Sequence, residues 1–388
     1  MQENNKQQIA AFALASFLND IGSNISDTIF PFFVTEFLKC DMGILGIING
    51  IEDFFYSFSQ FISGFISDRI KKRKPFIVLG YFFCGFSKIG YAISSIWQHA
   101  LAFAILDRSG KIRDPPRDAI VAEISKAKSR GRNFGIIEAM DNLGAVVGII
   151  LCYFLINYLD YNKIFLIAAI PSLIASFVIL AFIKEKRIEK KENKKEKERE
   201  KKRKIKLNKN VKTLLLASAI FNLGFFGYSF FLIYAKSFFE KSFIPFLFLT
   251  YSLVASLSSV PFGKLSDRIG RKKILGIAYL LWLISCFFFI FANSAFEIFL
   301  LFIIYGFVLG AKKPIEPTFV SELQPEEKAS VLGIFRGING FCVLLASIIA
   351  GFLWDAFGKK AIFSFSIPLT ILSLFILSFT KETLKNKK

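Results

Sequence analysis

The chain has 388 residues, 54% of them hydrophobic, with 49 phenylalanines and a formal net charge of +20. Its mean hydropathy of +0.50 excludes an ordinary soluble protein of this length, and repeated apolar runs of about 20 residues favour many membrane spans. Because the lysines and arginines cluster between these runs, the net charge indicates membrane topology and argues against nucleic-acid binding. The five scattered cysteines and the single histidine have no metal-ligand spacing, so we predict neither a metal site nor a cofactor.

Twelve apolar segments follow one another along the chain and predict an all-α membrane protein. We place the first six at residues 8–38, 43–67, 75–95, 97–112, 131–158 and 162–183. The other six are placed at residues 212–238, 243–266, 274–293, 295–311, 329–356 and 360–379. The polar first eight residues differ from the basic start of a cleaved signal peptide, so we expect the first segment to be retained as a helix.

A charged stretch separates the two sets of six. Residues 184–212 hold sixteen lysines and arginines against six glutamates, without an apolar stripe. This composition predicts a solvated linker, with contact to anionic lipid headgroups as the alternative. We therefore divide the chain into an N-terminal six-helix bundle (1–183), a linker (184–211) and a C-terminal six-helix bundle (212–388).

Positive charge also predicts the orientation. Clusters at residues 71–74, 113–132, 271–273 and 385–388 fall on the same side of the predicted bundle as the linker, whereas the opposite turns carry few cations. By the positive-inside rule, both termini and the linker are predicted to be cytoplasmic.

One motif occurs in both halves, after the second segment of each. The copies read Gly-Phe-Ile-Ser-Asp-Arg from Gly64 and Gly-Lys-Leu-Ser-Asp-Arg from Gly263, and cations follow each copy. The second copy continues with Gly270, where the first has Lys71. The two aspartates are 199 residues apart, and the same offset relates Pro115 to Pro314 and Glu123 to Glu322, which indicates a duplicated six-helix unit.

This repeated motif resembles the signature loop of the major facilitator superfamily. The resemblance implies twelve transmembrane helices in two pseudo-symmetric bundles, with a cytoplasmic latch in which Asp68 pairs with Arg113 or Arg117, and Asp267 with Lys312 or Lys313. The predicted latch residues are Gly64, Asp68, Arg69, Arg113, Arg117, Gly263, Asp267, Arg268, Gly270 and Arg271. Residues 107–119 are similar to a pattern in a poorly characterised prokaryotic branch of the superfamily, which implies the cytoplasmic membrane of a prokaryote.

Charged and polar residues interrupt the first five segments and the eleventh. Charge at membrane depth is costly, so these side chains are expected to face a cavity or a partner. The candidates are Asp20, Asn24, Asp27, Glu52, Asp53, Lys88, Asp107, Arg108, Lys111, Glu138, Asp141 and Arg336. The resemblance implies a substrate or proton role for Arg108.

Acids outnumber bases in the first five segments, so some must be protonated, hydrated or matched by a cationic ligand. Asp20 and Asp141 are our first choices for carrying a proton. The alternative is that these groups form fixed ion pairs that orient the helices.

Gly135, Gly144 and Gly148 partly match the antiporter motif of the superfamily, although helix packing explains Gly144 and Gly148 equally well. We predict proton-coupled efflux of a small molecule by alternating access, through a monomer whose partners are its substrate, protons and the lipid bilayer. The alternatives are an uptake symporter or uniporter and, in another class, a non-transporting membrane sensor or scaffold. An enzyme is not predicted, because the sequence has no nucleotide-binding loop, metal cluster or Ser/His/Asp set.

Overall fold

The computed structural model describes residues 2–70, 72–126, 129–183, 207–325 and 328–383, and the regular structure in these ranges is helical. Most of the predicted linker, residues 184–206, lies outside them. In the first half, the α-helices are α1 (Gln2–Phe32), α2 (Met42–Ile70), α3 (Lys74–Ile93), α4 (Trp97–Ser109), α5 (Asp114–Ile124), α6 (Arg130–Leu155) and α7 (Tyr161–Phe182). In the second half, they are α8 (Lys209–Leu223), α9 (Tyr228–Ala235), α10 (Ile244–Ile269), α11 (Arg271–Phe291), α12 (Ala295–Leu323), α13 (Lys328–Phe357) and α14 (Ala361–Ser378).

Nine helical segments in these described ranges are long and apolar enough to cross a membrane. They are α3, α6 and α7 in the first half and, with α8 and α9 taken as one segment, all six segments of the second. The remaining predicted spans are α1, α2 and the α4–α5 region, which carry most of the charged candidates. The twelve-span topology therefore stays a prediction, and its three most polar predicted spans all lie in the first half.

Two predicted segments end too early. The fourth was expected to end at residue 112, but a 3-10 turn (Gly110–Arg113) leads directly into α5, which begins with Pro115 and Pro116 near its N-terminus. Proline is tolerated there because the first helical N–H groups have no intrahelical acceptor. The tenth was expected to end at residue 311, yet α12 continues to Leu323 through Pro314 and Pro317. Both extensions carry charged side chains that pack against other helices rather than marking a loop.

The seventh predicted segment is a broken helix. α8 ends at Leu223 and α9 begins at Tyr228, with the short connection between them running through Gly224 and Gly227. The carbonyl of Gly224 is freed from helical bonding and accepts a hydrogen bond from the Ser366 hydroxyl of α14 at 2.5 Å. Such an interruption is tolerated at membrane depth only where protein or a cavity satisfies the backbone, so it marks a site of interest.

The halves meet through two helix pairs related by the internal repeat, α2 with α13 and α6 with α10. Glycine makes the first contact close. A Cβ on Gly46 would lie 2.3 Å from the carbonyl oxygen of Ser347, and a Cβ on Gly50 would lie 2.7 Å from that of Leu344. In the first half, Gly144 and Gly148 of α6 lie similarly close to the backbone of α1. Glycines thus allow the helix backbones to pack closely. Close packing matters here because lipid tails are as apolar as the helix surfaces, so burial of apolar area gives little drive for helices to associate.

The bundle has two ends, which we name from the chain. At the linker end, α7 ends and α8 begins, and α2 gives way to α3. At the far end, α1 gives way to α2, and α13 to α14. Asp355, at the end of α13, accepts hydrogen bonds from the backbone N–H groups of Met42 and Gly43 at 3.0 and 2.6 Å, and so caps α2 from the other half of the molecule.

Candidate functional site

A cavity of about 620 Å³ lies between the two halves. Its walls come from α1, α2 and α4 on one side and from α8, α9, α10, α12 and α13 on the other. The broken connection between α8 and α9 supplies Phe225, Phe226 and Gly227 to the wall. Five of the predicted site residues line this cavity: Asp27, Glu52, Asp53, Arg108 and Arg336.

Arg108 is the centre of the first-half wall. Its guanidinium lies 2.9 Å from the carboxylate of Asp27 and 3.7 Å from that of Glu52. Glu52 is buried, whereas Asp53 next to it is exposed. Two cavity carboxylates therefore share one arginine on this side, and Asp53 makes no ion pair among the described residues, so the charge left unbalanced must be met by a proton, water or a ligand.

The second-half wall contains a polar group in which our sequence analysis missed Glu316 and assigned Lys312 to the latch. Lys312 donates to the side-chain oxygen of Asn222 at 2.8 Å and lies 3.6 Å from the carboxylate of Glu316. Glu316 also accepts hydrogen bonds from Ser218 and Tyr279 at 3.1 and 3.0 Å. The offset of 199 residues could have found this pair, because it maps Arg113 onto Lys312 and Arg117 onto Glu316. Ending the tenth segment at residue 311 hid it.

Lys88 and Asp107 form a buried pair outside the cavity. The Lys88 ammonium lies 3.1 Å from the Asp107 carboxylate and also donates to the carbonyl of Cys84 at 2.7 Å. Ser87 donates to the same carboxylate at 2.8 Å. Lys88 is fully buried between α3 and α4, so this part of the predicted set is arranged as a helix-orienting ion pair.

The other acidic candidates of α1 and α6 belong to a second cluster. Arg117 lies 3.7 Å from the Asp141 carboxylate and donates to Ser16 and Asp118, both at 3.1 Å. Asp20 accepts a hydrogen bond from Asn19 at 3.1 Å. Three further members of the predicted set lie in this region. The amide of Asn24 donates to the backbone of Asp20, and the Lys111 ammonium lies 5.3 Å from the ring centroid of Tyr56. Glu138 is exposed.

Of the predicted latch, the surroundings of Gly64 and the side chains of Asp68 and Arg69 lie outside the part of the structure that is described. Arg113 is buried, with its guanidinium 4.7 Å from the ring centroid of Tyr81, and it donates to Cys84 at 3.0 Å. Arg113 and Arg117 thus both bond to neighbours within the first half.

The second copy of the motif forms an ion-pair cluster at the linker end. Arg271 lies 2.5 Å from Asp267 and 3.1 Å from Glu322 of α12. Gly270 has φ of +111°, a backbone conformation that favours glycine, and it joins α10 to α11. Asp267 therefore pairs with Arg271, while its two expected partners, Lys312 and Lys313, line the cavity.

Two other predicted latch residues of this loop lie in open surroundings. Among the described residues, no atom lies within 4 Å of where a Cβ on Gly263 would be. Arg268 is exposed.

A clamp at the far end was not foreseen from the sequence. Glu36, in a π-helical turn after α1, forms ion pairs with Lys236 and Lys241 of the second half, the latter at 3.3 Å. Tyr161 of α7 donates to the same carboxylate at 2.6 Å. The four residues come from three distant parts of the sequence, so only their tertiary proximity identifies them as a group, which we call the far-end clamp.

Comparison with known proteins places this geometry in a family. The sequence model of the Major Facilitator Superfamily matches residues 12–241 and 214–388. An uncharacterised MFS-type transporter of Methanocaldococcus jannaschii is 35% identical over 98% of both chains. Multidrug resistance protein 3 of Bacillus subtilis is 30% identical over 38% of this chain and 30% of its own.

Solved transporter structures share the fold at low sequence identity. The nucleoside transporter NupG is similar with a TM-score of 0.81 at 14% identity, covering 95% of this chain and 98% of that one. A D-xylose-proton symporter is similar with a TM-score of 0.75 at 16% identity, covering 99% of both chains. The family match spans nearly the whole sequence, and the chain therefore belongs to the Major Facilitator Superfamily of integral membrane transporters.

Proposed function

We propose that this transporter is a proton-coupled antiporter that exports a small molecule by alternating access. In this proposal it has twelve spans in the cytoplasmic membrane of a prokaryote, works as a monomer, and keeps both termini in the cytoplasm. The halves 1–183 and 212–388 rock about the cavity between them.

One observation carries the proton coupling: Asp27 and Glu52 share the guanidinium of Arg108 in a cavity between the halves, and Asp53 lines the same wall without an ion pair among the described residues. A carboxylate that loses its cation in a low-dielectric site takes up a proton instead. Exchange of a proton for substrate at this cluster would couple the two fluxes. The geometry supports Glu52 and Asp53, which line the cavity, as proton carriers over our earlier choices, Asp20 and Asp141.

The far-end clamp and the cap from Asp355 support an inward-facing conformation. Both join the halves at the end opposite the linker. If the cation-rich linker end is cytoplasmic, the cavity is closed to the outside in this conformation. Exchange would then require the clamp to open and the linker end to close.

The direction of transport rests on weaker support. Relatives that match about a third of this chain are described as multidrug resistance proteins, which favours export. The partial antiporter motif adds little, because Gly144 and Gly148 are accounted for by their close packing against Phe17 and Ile21 of α1.

The proposal can be tested in acid-loaded proteoliposomes with a pH-sensitive dye inside. Adding transported compounds outside should raise the internal pH in the wild type, because protons leave as the compound enters. Asp53→Asn and Glu52→Gln should abolish this response, whereas Asp160→Asn, a matched change at the exposed start of α7, should retain it. Compound entry accompanied by proton entry would identify a symporter, and compound entry without proton movement a uniporter. Either result would refute the antiport proposal.

A further inference from the structure

The cavity charges are divided by half of the molecule. The first-half wall carries three acids, Asp27, Glu52 and Asp53, against Arg108, which leaves a formal excess of two negative charges. The second-half wall carries Lys312, Lys313 and Arg336 against Glu316, which leaves an excess of two positive charges. The cavity as a whole is formally neutral, but its two walls have opposite sign.

The ion pairs within each wall leave charges of both signs available. Arg108 is engaged by Asp27 and Glu52, and Lys312 by Glu316. Asp53 on one wall, and Lys313 and Arg336 on the other, are exposed and make no ion pair with the residues that the structure describes. A ligand with one charge would satisfy only one wall, whereas a ligand with charges of both signs would satisfy both.

Two buried amides independently indicate a ligand. Asn49 of α2 and Asn339 of α13 line the cavity and are only 6% and 9% exposed. The Nδ2 of Asn49 and the Oδ1 of Asn339 have no hydrogen-bond partner in the described structure. Buried polar atoms are normally bonded, so an unbonded donor on the first-half wall and an unbonded acceptor on the second-half wall fit a ligand with a polar middle that both accepts and donates. Both atoms have almost no exposed surface in this conformation, so each amide would have to turn to reach such a ligand.

Most aromatic residues of the lining come from the second half, and Tyr56 is the aromatic residue that the first half adds. Tyr251 and Tyr305 have ring centroids 5.3 Å apart, and those of Tyr228 and Phe248 are 5.1 Å apart. Rings of this kind provide a large apolar contact area. The volume of about 620 Å³ is within the range of pockets that hold drug-sized ligands.

We infer that the cavity binds amphipathic zwitterions. The cationic end lies against Asp53 and its acidic neighbours, the anionic end against Lys313 and Arg336, and the apolar body against the tyrosines. This inference deepens the proposed function and rests on the cavity being the transport site. In an exchange cycle, protonation of the acidic wall would release the cationic end of the substrate.

The experiment uses four forms of one scaffold, phenylalanylphenylalanine. They are the free zwitterionic peptide, its cationic C-terminal amide, its anionic N-acetyl derivative and the doubly blocked neutral form. Binding to the purified full-length chain in detergent is measured by titration calorimetry. We expect the zwitterion to bind about tenfold more tightly than either singly charged form, since each added charge gains a charge-assisted bond.

Charge variants then assign each end. Arg336→Gln should weaken the zwitterion and the N-acetyl form but leave the amide unchanged, and Asp53→Asn should weaken the zwitterion and the amide but leave the N-acetyl form unchanged. Both side chains are exposed and make no ion pair among the described residues, so these variants should fold, which elution as a single species checks. Arg132→Gln, at the exposed start of α6, is the matched control and should change nothing.

The inference is overturned if the amide or the neutral form binds as tightly as the zwitterion, or if none of the four binds. Because binding is measured without a gradient, it is separate from coupling. Preferential zwitterion binding without proton movement in proteoliposomes would defeat antiport and leave this inference standing. If singly charged compounds bind as tightly as the zwitterion and drive proton exchange, the zwitterion inference is refuted and the antiport proposal stands.

Discussion

Glu36→Gln tests whether the far-end clamp holds the two halves together. The substitution keeps the size of the side chain and an oxygen for Tyr161, but removes the charge that attracts Lys236 and Lys241. The Glu36 side chain is 25% exposed and the two lysines are 47% and 38% exposed, so each ion pair is partly solvated. At about 0.2–1 kcal/mol per pair, the loss is about 0.4–2 kcal/mol, or roughly 2–30-fold in the equilibrium between closed and open far ends.

Hydrogen exchange with mass spectrometry can measure this change. The amides of Met42 and Gly43 are first-turn donors of α2 that are bonded only across the halves, to Asp355. Their exchange should therefore accelerate by the same factor as the open population. The amides of Arg271 and Lys272, which donate to Glu382 at the linker end, provide an internal control that should not change.

Two comparisons make the result decisive. Asp160→Asn removes an exposed carboxylate at the same end whose ion pair among the described residues is with Lys163 of α7, and it should have no effect on Met42 and Gly43. Asp355→Asn should accelerate their exchange directly. Unchanged exchange at Met42 and Gly43 in Glu36→Gln, or an equal acceleration at Arg271 and Lys272, would refute the clamp.

Three further outcomes follow from the described contacts. Lys88→Met should lower stability by about 3 kcal/mol because the buried Asp107 carboxylate then keeps only the long 3.9 Å contact with Arg108 as an ion pair among the described residues, and the double change with Asp107→Leu should recover much of the loss in thermal unfolding. Gly46→Ala should lower the melting temperature, since its methyl group would meet the backbone of α13, whereas Gly135→Ala, with no atom within 4 Å, should not. Asp267→Asn should weaken the link to Arg271 and slow transport without loss of folded protein; unchanged flux would remove the latch role.

The second-half wall shows why the candidate site was only partly predictable. Asp27, Glu52 and Asp53 could be identified from the sequence because a charged residue within an apolar run is costly in a membrane and is recognisable without a structure. Glu316 was missed and Lys312 was assigned to the latch because the tenth segment was predicted to end at residue 311, yet α12 continues through Pro314 and Pro317. The pairing of Lys88 with Asp107 was also hidden, since the sequence does not say which of several acids a lysine meets.

The sequence by itself determined that this is a duplicated, helical membrane protein, because hydropathy, charge clustering and the 199-residue offset are properties of the chain. Only the tertiary structure decided which charges share the cavity and which are neutralised elsewhere. Asp20 and Asp27 are two turns apart on one helix, yet only Asp27 lines the cavity, because α1 crosses from the second cluster to the junction of the halves. Helical periodicity fixes the face of a residue, but the neighbours of that face are fixed by packing between helices far apart in sequence.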